Sequence, residues 1–285
     1  MNESRISYVN GVIKNHEDAT LHIDDRATQF SDGAYEVILF LNNKLVDAKA
    51  HFERFEYSLK ELDIDFKINQ KEFSQLILNL FKKNNLSQGS CYIQITRGTC
   101  PRTQGYPKSL KPNCIITVKN LHQVTNHEFE QGFATITHED IRWKRRDIKS
   151  TSLLGNTITI QKAKTHNAIE AILLDDDNNI TEASFANVFI VNNNNEVITR
   201  PISRDILSGI TRKRIIKIAL ASNYKVIERK FSKKDLLSAK EVFLTSSTLL
   251  LRPITRIDSQ QINNGSAGKI STNLRDKYNQ FIYTL

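Results

Sequence analysis

Four pairs of short apolar segments joined by asparagine-rich turns constrain the fold of this 285-residue chain more than any other feature. The first pair, ISYVNGVIK, places Asn10-Gly11 between two strand-like runs, which is the strongest two-residue signal for a hairpin. The second, AYEVILFLNNKLVDA, repeats the pattern around Asn42-Asn43. The four pairs occupy residues 6–14, 34–48, 170–183 and 187–199. Each pair predicts two antiparallel strands that are neighbours in a sheet.

Segments with helical periodicity alternate irregularly with further strand-like runs. In HFERFEYSLKEL the apolar residues recur at intervals of three and four, which indicates one buried helix face. The predicted helices cover residues 51–62, 70–85, 153–167, a segment beginning near Ser208 to Thr211, and 270–284. The other predicted strands cover residues 90–98, 113–120, 133–140, 225–231 and 241–248. This irregular order favours an α+β fold over a doubly wound parallel sheet.

The polar segment NLHQVTNHEFEQG, near residues 120–132, has no apolar periodicity and is interpreted as a domain boundary. We therefore expect a smaller N-terminal domain at 1–122 and a larger C-terminal domain at 123–285. The composition, 39% hydrophobic and 25% charged, is typical of a soluble globular protein. No apolar run reaches membrane-spanning length, and the N-terminal residues lack a signal-peptide pattern, so a cytoplasmic protein is expected.

The chain has a net charge of +9 and three cysteines, but the distribution of these residues argues against nucleic-acid binding and against a metal site. Basic clusters at 142–149, 212–217 and 229–234 are short, separated and without interleaved aromatic residues, which argues against nucleic-acid binding. The cysteines are odd in number and lack metal-ligand spacing, so reduced thiols and no metal site are expected. A basic binding protein that uses the 142–149 cluster remains an alternative.

Residues 180–214, ITEASFANVFIVNNNNEVITRPISRDILSGITRKR, contain the most specific pattern in the chain. Their spacing resembles the extended motif of the class IV pyridoxal-phosphate aminotransferases, which include D-amino-acid aminotransferases, branched-chain aminotransferases and aminodeoxychorismate lyase. Further similar segments occur in the same order at 22–38, 51–59, 140–150 and 243–254. The resemblance covers nearly the whole chain and is greatest to the D-amino-acid aminotransferases. It implies a two-domain, fold-type IV architecture whose larger domain holds a mostly antiparallel sheet or pseudobarrel.

The resemblance also implies how pyridoxal phosphate would be held. Lys149 would form the Schiff base with the cofactor and serve as general acid and base, and Glu182 would pair with the pyridine nitrogen. The implied phosphate ligands are Arg54, Ile210, Thr211 and Ser247. Free N–H groups at a helix start give a physical reason for the contribution of Ile210 and Thr211. The alternatives are a solvated Lys149, a surface Arg54 and an ordinary helix cap at 208–211.

Substrate recognition follows from the same resemblance. Tyr35 and Arg102 would hold the substrate carboxylate, with Arg102 reaching in from the partner subunit of a homodimer, because a guanidinium fork suits a carboxylate. Gln104 stands where the D-amino-acid group has a histidine. Arg142 and His51 would belong to a supporting hydrogen-bond network.

The implied reaction is transamination of D-alanine with 2-oxoglutarate, giving pyruvate and D-glutamate. A branched-chain L-amino-acid aminotransferase and aminodeoxychorismate lyase remain alternatives at the same residues.

Overall fold

The computed structural model describes residues 5–285, which form two compact units. One unit runs to His122 and also contains Ile148–Ser152 and Leu285, and the other combines Gln123–Asp147 with Leu153–Thr284. Ile148–Ser152 pack with the first unit because Ser150 forms a β-bridge with Ala34 and the amide of Tyr35 donates to the Lys149 carbonyl at 2.9 Å. Domain limits at 1–122 and 123–285 stay a prediction.

The first unit is built on a six-stranded sheet in which every neighbouring pair is antiparallel. Along the sheet the strand order is β2-β1-β6-β5-β3-β4. The strands are β1 (Ile6–Val9), β2 (Val12–Asn15), β3 (Gly33–Leu41), β4 (Lys44–Leu45), β5 (Gly89–Thr96) and β6 (Asn113–Lys119). Asn10 and Gly11 both have positive φ, which gives the β1–β2 turn the twist that a tight hairpin needs.

Three helices accompany this sheet: α1 (Arg26–Phe30), α2 (Ala48–Glu61) and α3 (Gln70–Lys83). Helix α2 buries Phe52, Phe55 and Leu59, and α3 buries Ile77 and Phe81 in the same core as the sheet residues. The apolar spacing in α2 therefore produces the buried face expected from the sequence. Burial of each such side chain stabilises the folded state by roughly 1.5–3 kcal/mol.

The second unit contains a nine-stranded, mostly antiparallel sheet. Its strands are β7 (Phe133–Glu139), β8 (Glu170–Leu174), β9 (Ile180–Ala183), β10 (Asn187–Val191), β11 (Val197–Thr199), β12 (Val226–Glu228), β13 (Glu241–Ser246), β14 (Leu250–Ile257) and β15 (Gln260–Gln261). The order is β12-β11-β10-β13-β14-β7-β8-β9, and β15 pairs with β14. Strand β9 lies at one edge, yet only residues 184–186 connect it to β10 inside the sheet. The sheet must therefore curl, as in a half-barrel.

The helices of the second unit are α4 (Asn126–Gln131), α5 (Leu154–Thr165), α6 (Ile210–Ala221), α7 (Lys233–Leu237) and α8 (Lys269–Thr284). No helix within residues 5–285 has both the length and the apolarity to span a membrane.

The structure confirms the α+β class and all four predicted hairpins, whose strands pair antiparallel as β1–β2, β3–β4, β8–β9 and β10–β11. The sequence pattern does not predict α4, which occupies part of the polar segment at 120–132. Thr125 and Glu128 form a reciprocal capping box there, while Phe129 is the one buried residue of this six-residue helix. A helix that short shows no periodicity.

Candidate active site

Lys149 is fixed by backbone hydrogen bonds to both β3 and α2 within the first unit. Its carbonyl accepts from the Tyr35 amide, and its own amide donates to Ser58 Oγ at 3.1 Å. Ser58 Oγ in turn donates to the carbonyl of Arg54 at 3.1 Å. The Nζ atom of Lys149 lies 4.3 Å from the centre of the Tyr35 ring. The structure thus brings together three predicted site residues: Lys149, Tyr35 and Arg54.

A buried carboxylate, Glu36, orients Arg54. The guanidinium donates from Nε to Oε1 at 2.7 Å and from Nη2 to Oε2 at 2.9 Å, and His51 Nδ1 lies 2.8 Å from Oε2. Burial alone would raise the pKa of Glu36, but Arg54 and His51 together hold it far below the usual range. Burial lowers the pKa of His51, assisted by the charges of Arg54 and Lys149 and opposed by Glu36.

Arg102 and Gln104 lie on the exposed loop between β5 and β6 of the same unit. The guanidinium carbon of Arg102 is 5.1 Å from the centre of the Phe30 ring, and the Gln104 carbonyl accepts from Arg26 Nη2 at 3.4 Å. This loop is therefore attached to α1. The assignment of Arg102 and Gln104 to the substrate remains a prediction.

In the second unit, Glu182 is a buried carboxylate held from three directions. Arg142 Nη1 donates to its Oε1 at 2.5 Å, Asn187 Nδ2 donates to Oε2 at 2.9 Å, and the Leu207 amide donates at 3.1 Å. Burial raises the pKa of Glu182, and the hydrogen bonds from Arg142 and Leu207 oppose that rise. The result is a carboxyl group of fixed orientation whose proton affinity is increased.

Asp140 holds the guanidinium of Arg142 from the side opposite Glu182. Arg142 Nε and Nη2 donate to the two Asp140 oxygens at 2.9 and 2.7 Å, and Thr181 Oγ1 donates to Oδ2 at 2.7 Å. Although burial alone would raise the pKa of Asp140, the hydrogen bonds from Arg142 and Thr181 lower it. Arg142 therefore bridges two buried carboxylates.

Helix α6 begins at Ile210, with Gly209 as its N-cap residue. The amides of Ile210 and Thr211 belong to the first turn of α6, where no helix carbonyl precedes them to accept their hydrogen bonds. Such free amides at a helix N-terminus attract anions. A Cβ atom on residue 209 would overlap Asn187 Oδ1, so the glycine there lets Asn187 reach Glu182. The predicted Ser247 lies in the turn between β13 and β14.

The basic stretch at 142–149 is not a uniform cationic surface. Arg142 binds Asp140 and Glu182, Arg145 Nη2 lies 2.9 Å from Asp147 Oδ2, and Arg146 Nε lies 3.4 Å from Asp140 Oδ2. The three arginines thus have carboxylate partners in their own unit. This pairing weakens the alternative of a basic binding protein.

Three functional residues, Glu36, Asp140 and Asn187, have no individual role predicted from the sequence. Each carboxylate carries a recognisable signal: Glu36 is a charged residue inside the apolar run AYEVILFL, and Asp140 ends a strand two residues before Arg142. A charged residue in a buried strand requires a partner, which Arg54 and His51 supply for Glu36.

Comparison with known proteins identifies the family. Residues 33–257 match the model for amino-transferase class IV. The D-alanine aminotransferase of Staphylococcus epidermidis is 38% identical over 275 residues, covering 96% of this chain and 97% of the relative. The chain belongs to the class IV aminotransferase family.

Solved structures show the same fold. The Escherichia coli branched-chain amino acid aminotransferase superposes with a TM-score of 0.91 at 22% identity, covering 98% of this chain and 94% of that one. The branched-chain amino acid aminotransferase from the thermophilic archaeon Thermoproteus uzoniensis, solved with norvaline, gives a TM-score of 0.84 at 22% identity, with the same coverage. The protein is thus a fold-type IV aminotransferase.

Class IV aminotransferases use pyridoxal phosphate, and the side chains present suit that cofactor. A primary amine lies against an aromatic ring at Lys149, and a buried, oriented carboxyl group occurs at Glu182. The start of α6 provides backbone donors for a phosphate group. In addition, the buried Thr245 Oγ1, on the strand that precedes Ser247, finds no hydrogen-bond partner among residues 5–285. Such an orphaned hydroxyl is expected where a ligand completes a site.

Proposed function

We propose that this aminotransferase transfers the amino group of D-alanine to 2-oxoglutarate, giving pyruvate and D-glutamate. The observation that carries the proposal is the 38% identity to the Staphylococcus epidermidis D-alanine aminotransferase over nearly the full length of both chains. Similarity to the branched-chain enzymes is restricted to the fold, since it stands at 22% identity. D-Alanine is therefore the favoured amino donor.

Lys149 is the proposed covalent attachment point and the group that moves the substrate proton. When bound, pyridoxal phosphate accepts the electrons released as the substrate Cα loses its hydrogen. Lys149 Nζ would take that proton from the substrate Cα and deliver it to C4′ of the cofactor, and the second 2-oxo acid would reverse this transfer. The Tyr35 ring, 4.3 Å from Nζ, limits the positions of the amine and keeps water from that side.

Glu182 is the proposed partner of the pyridine nitrogen. The carboxyl oxygens are oriented by Arg142, Asn187 and Leu207, so they hold a proton at that nitrogen in one fixed direction. Asp140 contributes indirectly, because it fixes Arg142. A preoriented group of this kind needs no rearrangement when charge changes during the reaction.

The phosphate group is proposed to bind the amides of Ile210 and Thr211, with Arg54 and Ser247 as side-chain ligands. Helix α6 supplies the partial positive charge of its N-terminus. The two hydrogen bonds from Arg54 to Glu36 fix the plane of the guanidinium, so that its remaining edge has a defined direction.

Tyr35, Arg102 and Gln104 are the proposed ligands of the substrate carboxylate. We place the enzyme in the cytoplasm as a homodimer in which the Arg102 loop of each protomer serves the neighbouring site. Gln104 can donate a hydrogen bond to a carboxylate but carries no charge. We therefore expect Gln104→His to leave cofactor binding unchanged and to change KM for the amino acid.

Turnover measurements test the substrate assignment. Purified protein is supplied with 2-oxoglutarate and either D-alanine or L-leucine, and the keto acid formed from each donor is quantified. We expect pyruvate from D-alanine and little product from L-leucine. Turnover of L-leucine alone would assign the enzyme to the branched-chain group, and release of pyruvate from aminodeoxychorismate without an acceptor would make it a lyase.

A further inference from the structure

A buried arginine on α1 binds three successive backbone carbonyls of the loop between β5 and β6. Arg26 is 3% exposed, and its Nη1 donates to the carbonyl of Thr103 at 2.8 Å and to that of Gly105 at 3.2 Å. Its Nη2 donates to the carbonyl of Gln104 at 3.4 Å. One guanidinium group thus fixes the backbone at and beside Gln104. Because backbone atoms accept these bonds, the contact depends little on the loop side chains.

A second arginine, Arg97, is joined to Arg26 through the carboxylate of Asp32, which both of them bind. Asp32 Oδ2 accepts from Arg26 Nε and from Arg97 Nε, both at 2.8 Å. Arg97 donates onward to the carbonyls of Asp63 at 2.7 Å and Leu62 at 2.6 Å, just beyond the end of α2. Arg26 is therefore held in a fixed orientation by Asp32, which lies outside the loop and also binds Arg97, the first loop residue after β5.

Aromatic rings complete the attachment. The Tyr106 ring centre lies 3.6 Å from the guanidinium carbon of Arg97. The Phe30 ring lies 4.6 Å from that of Arg26 and 5.1 Å from that of Arg102. Stacking on a ring restricts a guanidinium to few orientations. The exposed Arg102 is thus tied to the same anchor as the buried Arg26.

We propose that Arg26 is a positioning residue for substrate selection, which fixes the backbone of residues 103–105 and so directs Arg102 and Gln104 toward the carboxylate of the amino acid or 2-oxo acid. The inference rests on the proposed function for the role of Arg102 and Gln104. The attachment of the loop itself is independent of that role. A guanidinium is required because an ammonium group cannot donate in one plane to Asp32 and to three carbonyls together.

The test compares Arg26→Lys with the unchanged holoenzyme. Trypsin cleaves after Arg102 when the loop opens, and we expect the variant to be cut there on the order of ten-fold faster, because several loop hydrogen bonds are lost. We also expect KM for the amino acid to rise roughly ten-fold with little change in kcat, since the carboxylate ligands are misplaced. The absorbance of bound pyridoxal phosphate should be unchanged. Arg256→Lys, at an exposed arginine that donates to the Asp258 carbonyl, is the matched control.

Each result decides one part of the inference. An unchanged cleavage rate after Arg102 would contradict the attachment of the loop by Arg26. Faster cleavage with unchanged KM would contradict the role in substrate selection. If the wild-type protein transaminates no amino acid, the proposed function fails, while the cleavage rates still test the attachment.

If Arg26→Lys has too low a melting temperature to be assayed, a second variant, Phe30→Leu, tests the positioning of Arg102. Phe30→Leu keeps every hydrogen-bonding group of Arg26, Asp32 and the loop carbonyls but removes the ring that stacks on both Arg26 and Arg102. We expect it to raise KM for the amino acid with cleavage after Arg102 accelerated less than in Arg26→Lys. An unchanged KM would contradict the positioning of Arg102.

Discussion

The Arg142 guanidinium joins two buried carboxylates, Asp140 and Glu182, through contacts of 2.7 Å and 2.5 Å. Burial alone would lower the pKa of Arg142, but the two carboxylates raise it, so the arginine stays charged. One carboxylate oxygen of Glu182 accepts a hydrogen bond from Arg142, and the other accepts one from Asn187. A carboxyl group held in this way has one orientation, which suits a role toward the pyridine nitrogen of the cofactor.

Replacing Glu182 by Gln tests that role. The amide keeps the shape of the side chain but cannot hold a proton on the pyridine nitrogen, so we expect kcat to fall on the order of 10²-fold. Steady-state assays with D-alanine measure the change. Asp176→Asn, at an exposed residue in the β8–β9 turn, serves as the control and should leave kcat unchanged. A normal kcat in Glu182→Gln would contradict the assignment.

Glu36→Gln tests the ion pair that orients Arg54. Removing one charge of a buried pair leaves the other uncompensated, so we expect the free energy of unfolding to fall by about 3–5 kcal/mol. Urea unfolding gives the value. Glu53→Gln on the same helix as Arg54 breaks an exposed contact of 3.9 Å with Lys49 and should cost less than about 0.5 kcal/mol. Equal effects of the two substitutions would refute the structural role of Glu36.

His51 predicts a pH dependence of stability. Its pKa is lowered in the folded state, chiefly by burial, so the unfolded chain binds the proton more readily. Neutral, buried His51 therefore contributes fully to the stability of the fold at pH values above about 6.5, the pKa of histidine in the unfolded chain. This contribution declines as the pH falls below about 6.5.

Urea unfolding at pH 7.5 and 5.5 measures this decline. It should be smaller in His51→Gln than in the control His122→Gln, at an exposed histidine. An identical decline in both variants would show that another group titrates.

Gly209→Ala probes the junction between α6 and Glu182. The added Cβ would overlap Asn187 Oδ1, so either the start of the helix or the Asn187 side chain must move. We expect a loss of about 1–3 kcal/mol in stability and weaker binding of pyridoxal phosphate. Gly105→Ala, where a Cβ would meet no atom within 4 Å, is the control for stability. Unchanged cofactor affinity in Gly209→Ala would contradict a phosphate site at α6.

The sequence predicts those parts of the fold and site that depend on local patterns. Asn10-Gly11 and Asn42-Asn43 predict hairpins because asparagine and glycine tolerate the left-handed backbone of the turns, and both turns have positive φ. The start of α6 is predicted by the residues that precede it. These signals arise from residues adjacent in the chain.

Long-range pairings are not predictable in the same way. Arg26 contacts the carbonyls of residues 103–105, which lie 77 to 79 residues further along the chain. Backbone carbonyls carry no sequence signal, so the loop attachment could not be inferred. The packing of Ile148–Ser152 with the first unit likewise depends on β3 and α2, which lie far away in the chain.

Covalent trapping of the cofactor distinguishes Lys149 from every other lysine of the chain. The holoenzyme is treated with borohydride, digested with trypsin and examined by peptide mass spectrometry. Modification of Lys149 blocks cleavage there, so we predict a peptide of residues 147–162 that carries the pyridoxyl group, and its absence in Lys149→Ala. A pyridoxyl group on another lysine, such as Lys144, or no modified peptide from the wild-type protein, would contradict the assignment of Lys149.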